Sequence, residues 1–397
     1  MGVSFALVFW DGEERTYGAG PTAFRVVLKS REACASILRD PNLRFGEAYS
    51  RGEIAVEGDL QHLFRAFYQS ADPLNRYRSV AARLSCWFGR WRAGSRTKAR
   101  QDVPRHYDLG NEFFALWLGN TMAYSCAYFE DPQASLDEAQ HAKFGHLARK
   151  LQMADDITVL DIGCGWGDLL LHLASRWRIR GVGITLSREQ CQAATARVKE
   201  HKLEERIRIE CADYREMNHR CPFDRVVSVG MFEHVGRSNM RDYMDCTRRL
   251  LKPRGIGVLH SIGRIISEPT NAWIDRYVFP GAYFPTLDEI AASLAACGMC
   301  TLDVENLRFH YYLTLIGWLR NFEAVAASVS AKRGEEFTRT WRFYLNSCAA
   351  AFAGGLYELW QIQFSHGHRN DLPLTRRYLY PPRTCYPVGN AEGERRA

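Results

Sequence analysis

The sequence predicts an α/β protein built on a doubly wound, mostly parallel sheet, with a small α/β domain in front of it. Three observations carry that expectation. A short apolar run at 157–160 leads into Leu160-Asp161-Ile162-Gly163-Cys164-Gly165-Trp166-Gly167, and a helical pattern of Leu169, Leu170, Leu173 and Ala174 follows at once. Strand-like runs at 158–160, 181–184, 207–210, 223–229 and 255–260 then alternate with helical patterns. Such alternation gives a parallel sheet with ligands at the carboxyl ends of its strands. The length, 397 residues, leaves room for one large domain and one small one.

Taken in order, residues 1–72 read as the small domain. Strand composition at 3–10 and 24–28 precedes a helix starting over 32–38, a turn-rich connection over 45–49 and 52–59, and a helix over 60–68. No acid–base constellation occurs there, so an accessory role is expected. Residues 73–105 change character, with nine Lys or Arg against one acid, Asp102. Val80, Leu84, Trp87, Phe88 and Trp91 fall on one helical face, while Arg76, Arg83 and Arg90 recur along another. This basic amphipathic linker suits an anionic membrane surface; a plain interdomain linker packed on the core fits it equally well. No nucleic-acid recognition motif accompanies the charge, so nucleic acid is not an expected partner. Residues 106–397 form the large domain. Residues 269–285 interrupt its alternation with prolines and aromatics, as an insertion over a site would. The apolar stretch at 344–364 carries Asn346, Glu358 and Gln361 and reads as a buried helix, and the tail after Pro381 as frayed.

Composition is that of a globular protein, 46% apolar and 24% charged. Twelve cysteines are scattered, and only Cys297 and Cys300 are close-spaced; no zinc pattern results and no metal is expected. The thiols read as reduced, hence a cytoplasmic protein. The first ten residues lack the basic start of a signal peptide and end in Asp11-Gly12-Glu13-Glu14.

The glycines at alternate positions let a ligand approach the main chain and turn the chain so that N–H groups of a helix start face it. The spacing D-x-G-x-G-x-G differs from the G-x-G-x-x-G expected for a nicotinamide cofactor. It resembles the first motif of class I S-adenosylmethionine-dependent methyltransferases, with a Rossmann-like sheet. A narrower resemblance rests on the stretches beginning His106-Tyr107-Asp108-Leu109-Gly110-Asn111 and Met122-Ala123-Tyr124-Ser125-Cys126, on Gly183-Ile184-Thr185-Leu186-Ser187, on Gly230-Met231-Phe232-Glu233-His234 and on Phe279-Pro280-Gly281-Ala282-Tyr283-Phe284. Together with the glycine loop these resemble the cyclopropane-fatty-acyl-phospholipid synthases and mycolic acid cyclopropane synthases over nearly the whole chain.

The resemblance implies S-adenosylmethionine as cofactor. Asp161, Gly163, Gly165 and Gly167 would lie under its methionine and ribose, and Thr185, Leu186 and Gln190 near ribose and adenine. Asp213 and Tyr214 would reach the adenine, with Tyr124 and Ser125 closing over the sulfonium. Thr185 and Ser187 also suit a cap for the helix starting near Arg188. The implied reaction is methylene transfer to the cis double bond of an unsaturated phospholipid acyl chain, through a carbocation deprotonated by bound bicarbonate. The bicarbonate cradle maps onto Cys126, Glu233, His260, Ile262 through its backbone, and Tyr311. A carboxylate can only accept, so Glu233 would take the bicarbonate proton, while His260, Tyr311 and the Ile262 N–H would donate. Aromatics at 124, 128, 129, 232, 283, 284 and 309 could line a tunnel and face the cation, though core packing suits any one of them better. The implied setting is the inner membrane face, with peripheral attachment; a homodimer is allowed.

Three alternatives carry distinct expectations. A fatty acyl C-methyltransferase would give a methyl-branched or methylene product. A small-molecule N-methyltransferase would act on an amine and ignore lipid vesicles. A non-catalytic lipid-transfer protein would not bind S-adenosylmethionine.

Overall fold

The structure, a computed structural model, describes residues 3–70, 109–217 and 222–380. The basic amphipathic segment at 73–105, the motif residues 106–108 and the tail after Pro381 lie outside the described residues.

The N-terminal part is a four-stranded sheet in the order β2-β1-β3-β4, made of Phe5–Val8 (β1), Glu14–Tyr17 (β2), Phe24–Leu28 (β3) and Ile54–Gly58 (β4). Helices α1 (Arg31–Arg39), α2 (Pro41–Ser50) and α3 (Leu60–Ser70) accompany it. The expected turn-rich connection is corrected here. Phe45 to Tyr49 sit inside α2, which Asp40 caps by accepting from the Leu43 N–H, with Pro41 in the first turn. Ile54 to Gly58 pair antiparallel with β3. Glycines at 46, 52 and 58 obscured both elements in the sequence.

The large sheet has seven strands in the order β10-β11-β9-β8-β5-β6-β7. Its strands are Thr158–Ile162 (β5), Arg180–Thr185 (β6), Ile207–Cys211 (β7), Phe223–Val229 (β8), Leu251–Gly263 (β9), Met299–Asn306 (β10) and Glu358–His366 (β11). β5, β6, β7, β8 and β9 pair in parallel, and β11 enters antiparallel between β9 and β10. The order reverses at β5, so the crevice at its carboxyl end is the expected ligand position. The helices of this part are α4 (Asn111–Ala115), α5 (Leu136–Leu151), α6 (Asp168–Arg176), α7 (Arg188–Glu200), α8 (Met240–Leu250), α9 (Ala272–Tyr277), α10 (Leu287–Ala296), α11 (Arg308–Arg333) and α12 (Glu335–Ala353).

The stretch at 344–364 is not one buried helix. α12 ends at Ala353 on Gly354 and Gly355, the second at φ 75°, and the chain re-enters the sheet as β11. Glu358 and Gln361 are buried strand residues. A continuous apolar run reads the same for a core helix and a buried strand, and the glycine pair is the signal that separates them.

One hydrophobic core joins the N-terminal elements to α11, α12 and α9, with Phe24, Tyr49, Phe64, Trp273, Phe343 and Tyr344 among its members. Polar contacts fix the docking. Arg339 of α12 donates to the Tyr49 and Ile54 carbonyls at 2.6 and 2.9 Å and lies 4.3 Å from the Tyr49 ring centroid. Gln61 donates to the Asn346 carbonyl and side chain, both at 2.9 Å. Buried Glu47 accepts from Tyr277 of the insertion at 2.8 Å. Gly46 allows that approach, since a Cβ there would meet the Trp273 indole at 2.5 Å.

Arg339→Met keeps the aliphatic stem but strands two carbonyls. Each charge-assisted bond is worth about 1.5–3 kcal/mol, so losing both should lower the unfolding free energy by about 3–6 kcal/mol, read as a lower urea midpoint with unchanged slope. An unchanged midpoint would show that these bonds contribute nothing to docking.

Candidate active site

Two cavities meet beneath the insertion. The larger opens at the carboxyl ends of β5, β6, β7 and β8 and encloses about 1200 Å³ of atom-free space, part of it open to solvent. The smaller, about 450 Å³, lies between β9, the start of α11 and the insertion. Tyr124, Ser125, Gly230 and His234 stand in the walls of both.

The glycine loop forms the floor of the larger cavity. Gly163 and Cys164 both donate to the Ile184 carbonyl at 2.9 Å, which pins the loop to β6. Trp166 donates to Asn111 Oδ1 at 2.7 Å, and Arg197 donates to the Trp166 carbonyl at 3.0 Å and to Asp168 at 2.7 Å. Gly163 and Gly165 adopt φ of 85° and 57°, and a Cβ at Gly165 would meet no atom within 4 Å, because it would point into the cavity. Gly167 is not among the residues lining the cavity; it caps α6 at φ 84° and packs beside Ala194. The remaining expected cofactor positions, Tyr124, Ser125, Asp161, Thr185, Leu186, Gln190, Asp213 and Tyr214, all line it.

Several of these also have local duties. Ser187 caps α7, and Thr185 bonds Gln190 Oε1 at 2.8 Å while accepting from the Ser187 N–H. Capping and cavity lining therefore coexist in one turn. Asp213 is held by Arg215, at 2.5 and 2.9 Å, and both face the cavity. Burial pushes the Asp161 carboxyl up to about 7, against the pull of Lys143.

All five expected catalytic positions, Cys126, Glu233, His260, Ile262 and Tyr311, line the smaller cavity. Glu233 sits in a 3-10 turn, Phe232–His234, rather than on the end of β8. His260 is inside β9, which continues to Gly263 because β11 pairs along it. Glu233 Oε1 accepts from the Ile262 N–H at 2.6 Å, so that N–H is already engaged and orients the carboxylate. Glu233 Oε2 and His260 Nε2 are buried without hydrogen-bond partners among the described residues. Buried polar atoms are seldom left so without a functional reason. His260 Nδ1 lies 3.1 Å from Gln361 Nε2; with that amide donating, Nε2 carries the ring proton. Burial, with Lys143 and Lys150 adding, holds the imidazole well below its ordinary value and so neutral. Burial raises the Glu233 carboxyl to about 7 and pushes the Tyr311 hydroxyl well above its usual range. Cys126 is a neutral thiol, raised by burial, whose Sγ donates to the Ala127 carbonyl at 3.2 Å.

Of the aromatics flagged in the sequence, Tyr124 and Phe284 line the smaller cavity, where Phe279 and Tyr311 join them. Phe309 is 55% exposed, Phe232 packs in the core at 5.0 Å from Tyr243, and Tyr128 stacks between His146 and His310. Sequence reading missed Lys143, and left His234 out of the site as equally a core residue or a contact, whereas it lines both cavities. His234 stands beside Glu233 in its motif and is held neutral, its ordinary value pushed down to about 4 by burial. Lys143 reads in sequence as one more charge on an amphipathic helix, with no signal that it is buried.

Comparison with known proteins gives the family. Residues 94–362 match the Mycolic acid cyclopropane synthetase family, and residues 1–79 match a domain of unknown function. A probable fatty acid methyltransferase of Pseudomonas putida is 36% identical over 94% of this chain and 95% of its own. The cyclopropane-fatty-acyl-phospholipid synthase of Escherichia coli K12 is 35% identical over 90% and 92%. Among solved structures, mycolic acid cyclopropane synthase CmaA1 complexed with SAH and CTAB superposes with a TM-score of 0.64 at 31% identity, covering 67% of this chain and 98% of that one. With the fold of the S-adenosylmethionine-dependent methyltransferases, this chain is an enzyme of the mycolic acid cyclopropane synthetase family.

Proposed function

We propose that the enzyme transfers a methylene unit from S-adenosylmethionine to the cis double bond of an unsaturated acyl chain in a membrane phospholipid, forming a cyclopropane ring. The observation that carries this reading is the pair of unsatisfied buried atoms, Glu233 Oε2 and His260 Nε2, in an apolar cavity that meets the glycine-loop cavity at Tyr124 and Ser125.

The chemistry asks for such a site. An isolated alkene has no proton to lose before attack, so no strong base is needed to begin. The cation formed must be kept from water, which Phe279, Ala282, Phe284 and Leu359 exclude. Bicarbonate, when bound, would supply a mild base for the proton lost from the transferred methyl group. The residues fit that ion: Glu233 Oε2 would accept its hydroxyl proton, and His260 Nε2 and the Tyr311 hydroxyl would donate to its oxygens. Cys126 and the Ile262 N–H, already engaged with protein partners, act through position. A fatty acyl C-methyltransferase, the reading closer to the name of the Pseudomonas relative, passes through the same cation and also needs a base to take a proton, so the identity of the product separates the two.

The proposal extends to an anionic membrane on the cytoplasmic side. Trp87→Glu with Trp91→Glu should cut co-sedimentation with anionic vesicles and activity on them, yet leave S-adenosylmethionine affinity unchanged. Salt-insensitive vesicle binding that survives both changes would leave 73–105 as a linker only.

Glu233→Gln tests the cradle twice. A donating amide facing the bicarbonate proton forfeits a hydrogen bond, about 1–3 kcal/mol and more where charge is involved. Turnover should fall roughly ten- to several-hundredfold, with partial rescue by added bicarbonate and little change in cofactor affinity. Full wild-type activity in carbonate-depleted buffer, with no carried-over ion, would remove bicarbonate from the reaction. The second readout is stability. The folded-state carboxyl titrates near 7, against an ordinary 4.5. Its protonated form therefore favours folding below pH 4.5, and that contribution is lost as pH rises to about 7. At about 1.36 kcal/mol per pH unit, the ionised buried carboxylate costs roughly 3 kcal/mol. The variant should thus gain on the parent between roughly pH 5 and 8, seen as a widening gap in unfolding midpoint. A gap independent of pH would contradict a raised Glu233.

A further inference from the structure

Lys143 has no place in the chemistry above, yet it is one of the most deeply buried charged side chains of the protein. It lies on α5, 1% exposed, and lines the larger cavity beside Ser125, Asp161 and Asp168. Its ammonium donates to Ser125 Oγ at 2.8 Å and sits 4.9 Å from the Phe144 centroid. An ammonium has three donors, and the described residues engage one.

The other charges of the cavity wall are already matched. Asp168 is held by Arg197 at 2.7 Å and Asp213 by Arg215 at 2.5 Å. Among the described residues, Lys143 and Asp161 enter no ion pair. Burial favours loss of the Lys143 proton, and Cys126, Asp168 and then Asp161 oppose it; of the two aspartates, only Asp168 has an arginine partner among the described residues. A buried cation left this way is costly unless a ligand brings an anion to it.

We propose that Lys143 is the recognition site for the carboxylate at the amino-acid end of S-adenosylmethionine. The inference rests on the reading that this cavity takes that cofactor. The chemistry leaves no other partner on the molecule. Adenine and ribose are neutral, the sulfonium and the ammonium are cationic, and the carboxylate is the single anionic group. The position agrees. Ser125, which Lys143 holds, stands where the two cavities meet and hence where the methyl group must cross. The carboxylate is only a few bonds from that sulfur, whereas Asp213 and Tyr214 line the wall on the far, adenine side. Asp161 then serves the ammonium carried on the same carbon, so the pair reads a zwitterion as a zwitterion. Lys143 is a binding residue in this account and moves no proton.

The test is a residue-by-ligand cycle in the full-length protein, read by calorimetry. The probes are S-adenosylmethionine and its decarboxylated form, which lacks only the group in question. The wild-type protein should bind the carboxylated probe about ten- to a hundredfold more tightly, as one charge-assisted bond implies. Lys143→Met should bring the two affinities within about twofold, by weakening the carboxylated probe alone. Lys143→Arg, which keeps the charge, should retain most of the preference. Ser125→Ala should retain the preference too, which separates carboxylate recognition from the bond to Ser125. If Lys143→Met weakens both probes alike, the lysine only shapes the wall and the proposal falls. If the methionine variant keeps the preference, the carboxylate is read elsewhere. Failure of the wild-type protein to bind either probe would overturn the cofactor reading itself, along with this inference.

Discussion

The segment from Met122 to Phe129 has no regular secondary structure, yet it forms the wall shared by both cavities. Its backbone groups are buried and need partners, and the surrounding helices supply them. Gln140 of α5 donates to the Ala123 and Ser125 carbonyls at 3.3 and 3.0 Å. Thr314 accepts from the Ala127 N–H at 2.9 Å, and His310 Nδ1 from the Phe129 N–H at 3.0 Å. Tyr124 is enclosed by Phe114, Trp117 and Trp318, at 5.3 to 5.5 Å between centroids, and its hydroxyl meets that of Tyr344 at 2.7 Å. Position here is therefore set by α5, α11 and α12 together. Any shift of those helices would move the wall that the two cavities share.

That dependence gives the N-terminal part a physical link to the site. Its core is continuous with the aromatic cluster around Tyr124, through Tyr49, Phe343 and Tyr344. Glu47 reaches the insertion through Tyr277, and the insertion supplies Phe279 and Phe284 to the smaller cavity. A domain without acid–base residues of its own thus supports the wall of the smaller cavity.

Much of this was legible in the sequence, for identifiable reasons. The glycine loop and the parallel strands announce themselves because tight turns need glycine and buried strands need unbroken apolar runs. The five positions of the smaller cavity came from motif context, and the fold brings them together from a loop, a 3-10 turn, β9 and α11. What stayed hidden depends on partners distant in the chain. β11 looked like a helix because a buried strand and a core helix share the same apolar run, with only the Gly354–Gly355 break to tell them apart. Gly167 caps α6, a duty the glycine pattern does not separate from a cradle, since both use the same residue type. Lys143 carries no motif, and only the tertiary structure shows that its charge is buried against the cavity.

The central claim is that this architecture adds one methylene carbon across a cis double bond and closes a ring. It is tested most directly by incubating the purified protein with S-adenosylmethionine and vesicles of mixed unsaturated phospholipids. Mass spectrometry and proton spectra of the released acyl chains then identify the product. The account predicts acyl chains heavier by one methylene unit, with the double bond lost and the upfield signals of cyclopropane ring protons present. Chains of the same added mass bearing a branched methyl or a methylene group, or chains left unmodified while the cofactor binds, would contradict it.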